Sequence, residues 1–283
     1  MPRPFGRRNR PKGRGACVAR SGRFACSGRF ACSGRFAVFA CTAALPECAN
    51  RRQHMSAPSP DAGSTWAVLV AAGSGERLGS DRPKAFVALG ERVLLAESLE
   101  RLDASPWVDA IVVAVPEGWE EAAIVLAEEL VVSKVAAVVT GGATRTDSVR
   151  AALAEVPDDA LVVLVHDAAR PLVDDRMIER VLAPLAEGYD GVVPGLAVAD
   201  TVKRVDQGVI AETIDRSVLV TVQTPQAFPA HVLRAAYEGT PDNATDCASL
   251  VERRGGRVRV VDGDPRLLKI TTAADLALVE SWL

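Results

Sequence analysis

The chain has 283 residues, 48% of them hydrophobic and 24% charged, with a formal net charge of −3. That is the profile of a globular protein with one large or two small cores, and no apolar run reaches the ~20 residues that span a bilayer. The near-neutral total hides a division, because residues 1–54 carry 12 Lys and Arg against one acid, Glu47, leaving 21 basic and 35 acidic residues beyond.

The first 54 residues read as a separate object. SGRFAC, SGRFAC and SGRFA follow one another over 21–37, and five of the six cysteines (Cys17, Cys26, Cys32, Cys41, Cys48) lie here. Alternating Arg and Phe allow a nucleic-acid arm, and an Arg-rich, acid-poor composition allows a targeting leader. A perfect short repeat also looks like repetitive DNA translated from a start codon set too far upstream, with Met55 opening a plausible beginning. The last reading is the one adopted, so 1–54 is expected to be disordered and dispensable and 55–65 to be a linker to a domain at 66–283. No CxxC pair supports a metal knuckle. Cys247 alone lies in the body, which excludes an internal disulfide there and suits a reducing cytoplasm.

From Trp66 onward, short Val-rich runs alternate with amphipathic stretches. WAVLVA (66–71) predicts a first strand, followed by a bend with Gly73, Gly75 and Gly79. Leu95, Leu99 and Leu102 fall at helical spacing, and 110–115 and 135–140 read as strands. Strand 160–166 follows, then a helix marked by Ile178, Val181, Leu182 and Leu185, then strand 191–196. The strands are continuously apolar, as expected for a parallel sheet covered on both faces. The alternation predicts a three-layer α/β/α sandwich, mostly parallel and Rossmann-like, with ligands at the strands' carboxyl ends. One segment departs from it. Residues 200–219 read as two polar strands around Asp206-Gln207-Gly208, a hairpin arm (about 197–220) too poor in apolar surface to stand alone. A strand at 257–263, Lys269 and a helix at 273–283 close the chain.

The stretch VLVAAGSGERLGSDRPKAF (68–86) carries the first chemistry. Gly73 and Gly75 let the backbone turn sharply and offer N–H groups to an anion, and Arg77 and Lys84 add full charges. The spacing departs from the G-x-G-x-x-G of dinucleotide loops, and no G-K-[ST] marks a Walker A loop. A triphosphate fits best; the bland alternative is a tight turn with surface cations. Asp167, ending a buried strand, suits Mg²⁺ alongside substrate phosphates. Lys269, flanked by Leu267, Leu268 and Ile270, is either a further cation at the same centre or a snorkelling surface lysine. Arg170 binds substrate or braces Asp167. Arg145 is structural or phosphate-facing, and His166 reads as a satisfied core histidine.

A-A-G-x-G-x-R…P-K after a first strand resembles the sugar-nucleotide-forming nucleotidyltransferases. GGATRTDSV, VHDAARP, DTVKR, TPQAF, ATDCASLVE and LKIT then follow in the order found in the 2-C-methyl-D-erythritol 4-phosphate cytidylyltransferase family. The resemblance covers 66–283 and implies the nucleotidyltransferase fold. It also implies transfer of CMP from CTP to methylerythritol 4-phosphate with release of pyrophosphate, using Mg²⁺ or another divalent cation. It assigns catalysis to Arg77, Lys84, Arg216 and Lys269. CTP binding falls to Ala71, Ala72, Gly73, Gly75, Gly141, Gly142 and Ser148, and polyol-phosphate binding to Asp167, Arg170, Thr201 and Arg216, with Asp167 beside the metal. Thr201 and Arg216 come from the neighbouring subunit, so the implied enzyme is a cytoplasmic homodimer with exchanged arms. Two positions depart from the family pattern: Ala143 stands where some relatives carry Asp, and Cys247 where relatives usually carry Asp or Glu. The rival readings are a ribitol 5-phosphate cytidylyltransferase and a non-catalytic nucleotide-binding module. An acidic body argues against nucleic acid, and no membrane partner is expected.

Overall fold

The computed structural model describes residues 64–79, 81–239 and 244–283, with Arg77 described by its backbone alone. The basic repeat segment 1–54 and linker residues 55–63 lie outside the described residues, and so do the expectations made of them. In chain order the strands are β1 Thr65–Val70, β2 Ala88–Leu89, β3 Arg92–Val93, β4 Ala110–Val115, β5 Val135–Thr140 and β6 Val162–Asp167. They continue as β7 Gly191–Ala197, β8 Val202–Asp206, β9 Val209–Ile214, β10 Val220–Val222, β11 Gln226–Pro229 and β12 Val258–Asp262. The helices are α1 Leu94–Ala104, α2 Glu120–Glu129, α3 Arg145–Ala154, α4 Asp175–Leu182, α5 Ala230–Tyr237, α6 Cys247–Arg253 and α7 Ala273–Glu280.

The main sheet runs β10-β7-β11-β6-β1-β4-β5, with β12 on β7. Pairs β1–β4, β1–β6, β4–β5 and β7–β12 are parallel, whereas β10 and β11 run antiparallel to their neighbours. The strands are apolar on both sides because each side has its own core. Ala67, Leu69, Ile111, Val113 and Leu164 pack with Leu95, Leu99 and Leu102 of α1, Ala123 of α2 and Ile178 and Val181 of α4. The intervening residues Val68, Val112, Ala114, Val163 and Val165 face α3, α5 and α6 through Val149, Leu233 and Leu250. This period of two buries the central strands β4 and β6 on both faces, while the edge strands β5, β10 and β12 stay partly exposed.

The helices' placement follows from the strand order. From β1 the chain steps outward to β4 and β5 through α1 and α2 on one face, then jumps back through α3 on the opposite face to reach β6. Right-handed crossovers require that change of face when the direction of winding reverses. A crevice opens at such a reversal, here beyond the carboxyl ends of β1 and β6. A third, smaller core of Leu89, Leu94, Leu172, Ile270 and Val279 ties α7 to the β2–β3 hairpin beside that crevice. The arm forms as read: β8 and β9 pair antiparallel, and the turn has φ of 47° at Gln207 and 81° at Gly208. It leaves Val205, Val209 and Ile210 exposed.

Candidate active site

An open cleft of about 680 Å³ lies in the crevice, lined by residues 70–76, Lys84, Ala85, 142–145, 167–169, Lys269 and Thr271. Its floor is set by register, since Val70 of β1 pairs with Asp167 of β6. The chain leaves β1 through Ala71, Ala72 and Gly73, turns at Gly75 with φ 75°, and returns so that the Lys84 N–H donates to the Gly73 carbonyl at 3.3 Å. A Cβ on Gly75 would lie 2.8 Å from the Lys84 Cβ. Glycine there is required twice, by its left-handed backbone and by the approach of Lys84. Lys84 begins a short 3-10 turn anchored by buried Phe86, whose ring centroid lies 4.5 Å from that of Trp119. The loop and Lys84 form one unit. The Arg77 side chain lies outside what the structure describes, although its backbone continues the same loop through the 3-10 turn Glu76–Leu78.

Across the cleft, Gly141 and Gly142 lead from β5 into α3. A Cβ on Gly141 would stand 2.4 Å from that of Ala72, and one on Gly142 2.2 Å from that of Asp147. Buried Ser148 accepts from the Gly142 N–H at 3.2 Å and donates to the Thr144 carbonyl at 3.0 Å. Thr144 and Asp147 form a capping box on α3. The result is a pocket walled by backbone and fixed by the helix start, and Ala143 lines it with a methyl group. If this wall holds the CTP that the resemblance assigns to it, Gly141→Ala is expected to raise KM for CTP about tenfold while the fold survives, because the added methyl, 2.4 Å from the Ala72 Cβ, forces the two walls about 1 Å apart. Steady-state kinetics with varied CTP, beside a thermal melt, checks this.

Asp167 is the electrostatic centre. It is buried, and its Oδ1 accepts from Arg145 Nε at 3.0 Å while its Oδ2 accepts from Lys269 Nζ at 2.7 Å. Arg170 Nε stands 4.0 Å away and its Nη1 donates to the Leu267 carbonyl at 2.6 Å. Burial pushes the Asp167 pKa up, but Arg145 and then Lys269 outweigh it and hold the carboxyl well below the usual range. The Asp167 N–H donates to Thr224, a contact that the sequence did not announce, although Thr224 opens its TPQAF motif.

His166 faces the opposite way. It is fully buried, with Nδ1 3.2 Å from Thr224 Oγ1 and Nε2 3.0 Å from the Arg170 carbonyl. Burial pushes its pKa down to about 4. A depressed histidine pKa stabilises the fold above the unfolded value of about 6.5, and this stability is lost as pH falls toward 4. Urea unfolding is expected to show roughly 2 kcal/mol of loss between pH 7 and pH 5, removed in His166→Gln. Asp167 does not contribute in that window, because its own loss begins only below about pH 4.

The residues present do not by themselves form a cage for a resident metal ion. Both Asp167 oxygens are taken by cations, and among the described residues no group of three His, Cys, Asp or Glu could hold a metal. The carboxylate is thus already neutralised by protein cations, and a place for it beside Mg²⁺ requires the ion to arrive with the nucleotide phosphates. Thr201 and Arg216 are exposed at the base of the arm, where Arg216 Nη1 donates to the Ala199 carbonyl, and neither lines the cleft of its own chain. Cys247 is a buried free thiol at the start of α6, facing Tyr237 and Arg145.

Residues 65–283 match the family described as IspD: 2-C-methyl-D-erythritol 4-phosphate cytidylyltransferase. A protein of that name from Nocardia farcinica is 50% identical over 222 residues, spanning 78% of this chain and 94% of its own length. One from Saccharopolyspora erythraea is 50% identical over 224 residues, 78% of this chain and 99% of its own. The crystal structure of 2-C-methyl-D-erythritol 4-phosphate cytidylyltransferase from Thermus thermophilus superposes with a TM-score of 0.62 at 33% identity. That superposition covers 76% of this chain and 96% of the other.

Proposed function

The chain belongs to the 2-C-methyl-D-erythritol 4-phosphate cytidylyltransferase family and is a cytidylyltransferase, and from that premise we propose how its residues carry out the transfer. The reaction joins CMP from CTP to methylerythritol 4-phosphate and releases pyrophosphate, a step of isoprenoid precursor synthesis. An acceptor phosphate oxygen forms a bond to the α-phosphorus as the bond to the β-phosphate oxygen breaks. The acceptor is already ionised near neutrality, so no strong general base is needed; repulsion between two anions is the obstacle.

The single observation that carries the assignment of roles is the placement of the glycine loop with Lys84 against Asp167 and Lys269 across one cleft. The backbone of 71–75 cradles the triphosphate, and Lys84 and Arg77 stabilise charge on the α-phosphoryl group in the transition state. Gly141, Gly142 and Ser148 hold the cytosine, whose small ring suits a narrow backbone-walled pocket. Lys269, Arg170 and the Asp167 cluster hold the acceptor phosphate. A divalent cation, Mg²⁺ in the first instance, enters with the nucleotide phosphates, to which it supplies charge neutralisation.

Completion of the site by Thr201 and Arg216 of a second copy accounts for their distance from their own cleft. It also accounts for an arm that exposes Val205, Val209, Ile210 and Val218. A homodimer with exchanged arms is therefore the working assembly, in a reducing compartment, the cytoplasm. No helix among the described residues is long and apolar enough to cross a membrane. The test is pyrophosphate release by the chain beginning at Met55, with CTP and Mg²⁺, comparing methylerythritol 4-phosphate with ribitol 5-phosphate. Release with the first alone is expected. Release with the second alone keeps the chemistry and changes the acceptor.

A further inference from the structure

Arg145 is the first residue of α3, a place where the helix dipole disfavours a cation. It stays because its guanidinium joins three elements. Nε donates to Asp167 at the end of β6, and Nη1 reaches the Cys247 sulfur, at the start of α6, at 3.4 Å. That sulfur is itself fixed, 3.2 Å from the Tyr237 hydroxyl of α5, while the Cys247 N–H donates to Gln226 at 3.3 Å. Arg145 lines one wall of the cleft, but its Nε and Nη1 are engaged by Asp167 and Cys247, and its Nη2 is buried without a hydrogen-bond partner. Of the three cations around Asp167, Lys269 is the most open, with 39% of its side chain exposed against 20% for Arg145 and 11% for Arg170.

We propose that Arg145 is a positioning residue for the acceptor phosphate: it holds Asp167 permanently, so that Lys269 is released to the substrate. A buried carboxylate cannot surrender its only counterion without a large penalty. If Lys269 were the sole partner of Asp167, binding an acceptor phosphate with it would strip that carboxylate. Arg145 removes the conflict by keeping Oδ1 engaged at 3.0 Å, whereas Arg170 Nε stands 4.0 Å from Oδ2, beyond hydrogen-bond reach, with Nη1 on the Leu267 carbonyl. Cys247 and Tyr237 keep the second arm of Arg145 away from the nucleotide phosphates. The thiol is a weak acceptor, so it orients the guanidinium while leaving its charge to Asp167.

This inference rests on the reading of the cleft as a CTP and polyol-phosphate site, so every assay carries wild-type enzyme as its baseline. A wild type inactive with both substrates defeats that reading and not this one. With an active wild type, Arg145→Met is expected to raise KM for methylerythritol 4-phosphate about tenfold and leave KM for CTP within about twofold. Arg145→Lys restores a charge against Asp167 and should recover most of the loss. A rise in KM for CTP instead would make Arg145 a nucleotide ligand and overturn the proposal. A lower melting temperature with neither KM changed would make it merely structural and overturn it equally. Should Arg145→Met fail to fold, Cys247→Val and Cys247→Ser decide by the same readout. The valine variant, lacking an acceptor, should raise KM for the polyol phosphate alone, and the serine variant should not. Equal behaviour of the two removes the anchor.

Discussion

Lys84→Ala is expected to lower kcat about a thousandfold, the scale on which one preorganised charge donor acts in a transition state. KM for CTP should change little, because in the proposed arrangement the triphosphate is held chiefly by backbone N–H groups of the glycine loop and the base by the Gly141–Ser148 wall. The substitution is also well tolerated by the fold. Lys84 is half-buried at the head of a 3-10 turn whose anchorage comes from Ala85 and Phe86, and its N–H contact with Gly73 is made by backbone. Thermal melts should therefore overlay while single-turnover pyrophosphate release collapses. Lys84→Arg is expected to recover only part of the rate, because its longer planar head must leave from a backbone packed so closely on Gly75 that a Cβ there would stand 2.8 Å from the Lys84 Cβ. Turnover near that of wild type in Lys84→Ala would remove this residue from the chemistry and shift the burden to Arg77 and Lys269.

The parts of this fold that could be read in the sequence are those dictated by local period. β4 and β5 fall at 110–115 and 135–140 as read, because Val-rich runs favour strand; β4 is covered on both faces, whereas β5 at the sheet edge is only partly buried. β6 begins two residues later than the read run, at Val162, and ends at Asp167 as expected: the Asp167 backbone pairs with Val70, while its side chain turns to the cations. The antiparallel strands β10 and β11 were not legible, since three or four residues around a Thr224-Pro225 step carry no period. Their place is set by long-range pairing with β6 and β7. The glycine loop and Lys84 are legible because they are contiguous and chemically unusual. The Arg145–Cys247–Tyr237 contact is not, because Arg145 lies 102 residues from Cys247 and the three types suggest packing when taken singly. Lys269 lies in between: its apolar neighbours left a cation at the site and a snorkelling surface lysine both open, and the structure supplies the 2.7 Å contact with Asp167.

A mixed-dimer experiment is expected to give the second large effect. Arg216→Ala alone should lose most activity at ordinary acceptor concentration, because Arg216 is exposed away from its own cleft and, in the proposed exchanged dimer, would face the acceptor phosphate of the other chain. Its bond to the Ala199 carbonyl holds the arm base but supplies no charge to either site. Lys84→Ala, by contrast, disables the cleft that contains it. When the two variants are unfolded together and reassembled, half the dimers are mixed. In each of those, one cleft carries both defects, and the other has a normal Lys84 and receives a normal Arg216 from its neighbour. Statistical exchange in a two-fold dimer therefore predicts recovery of about a quarter of wild-type specific activity from two nearly inactive parents. If Arg216 served its own chain, every mixed dimer would instead hold two clefts with one defect each, and the mixture would be no more active than the average of its parents. Recovery also requires the chains to exchange, which tagged copurification verifies independently of activity. Copurification without recovery would place Arg216 in its own subunit's structure and leave Lys269 and Arg170 alone on the acceptor phosphate.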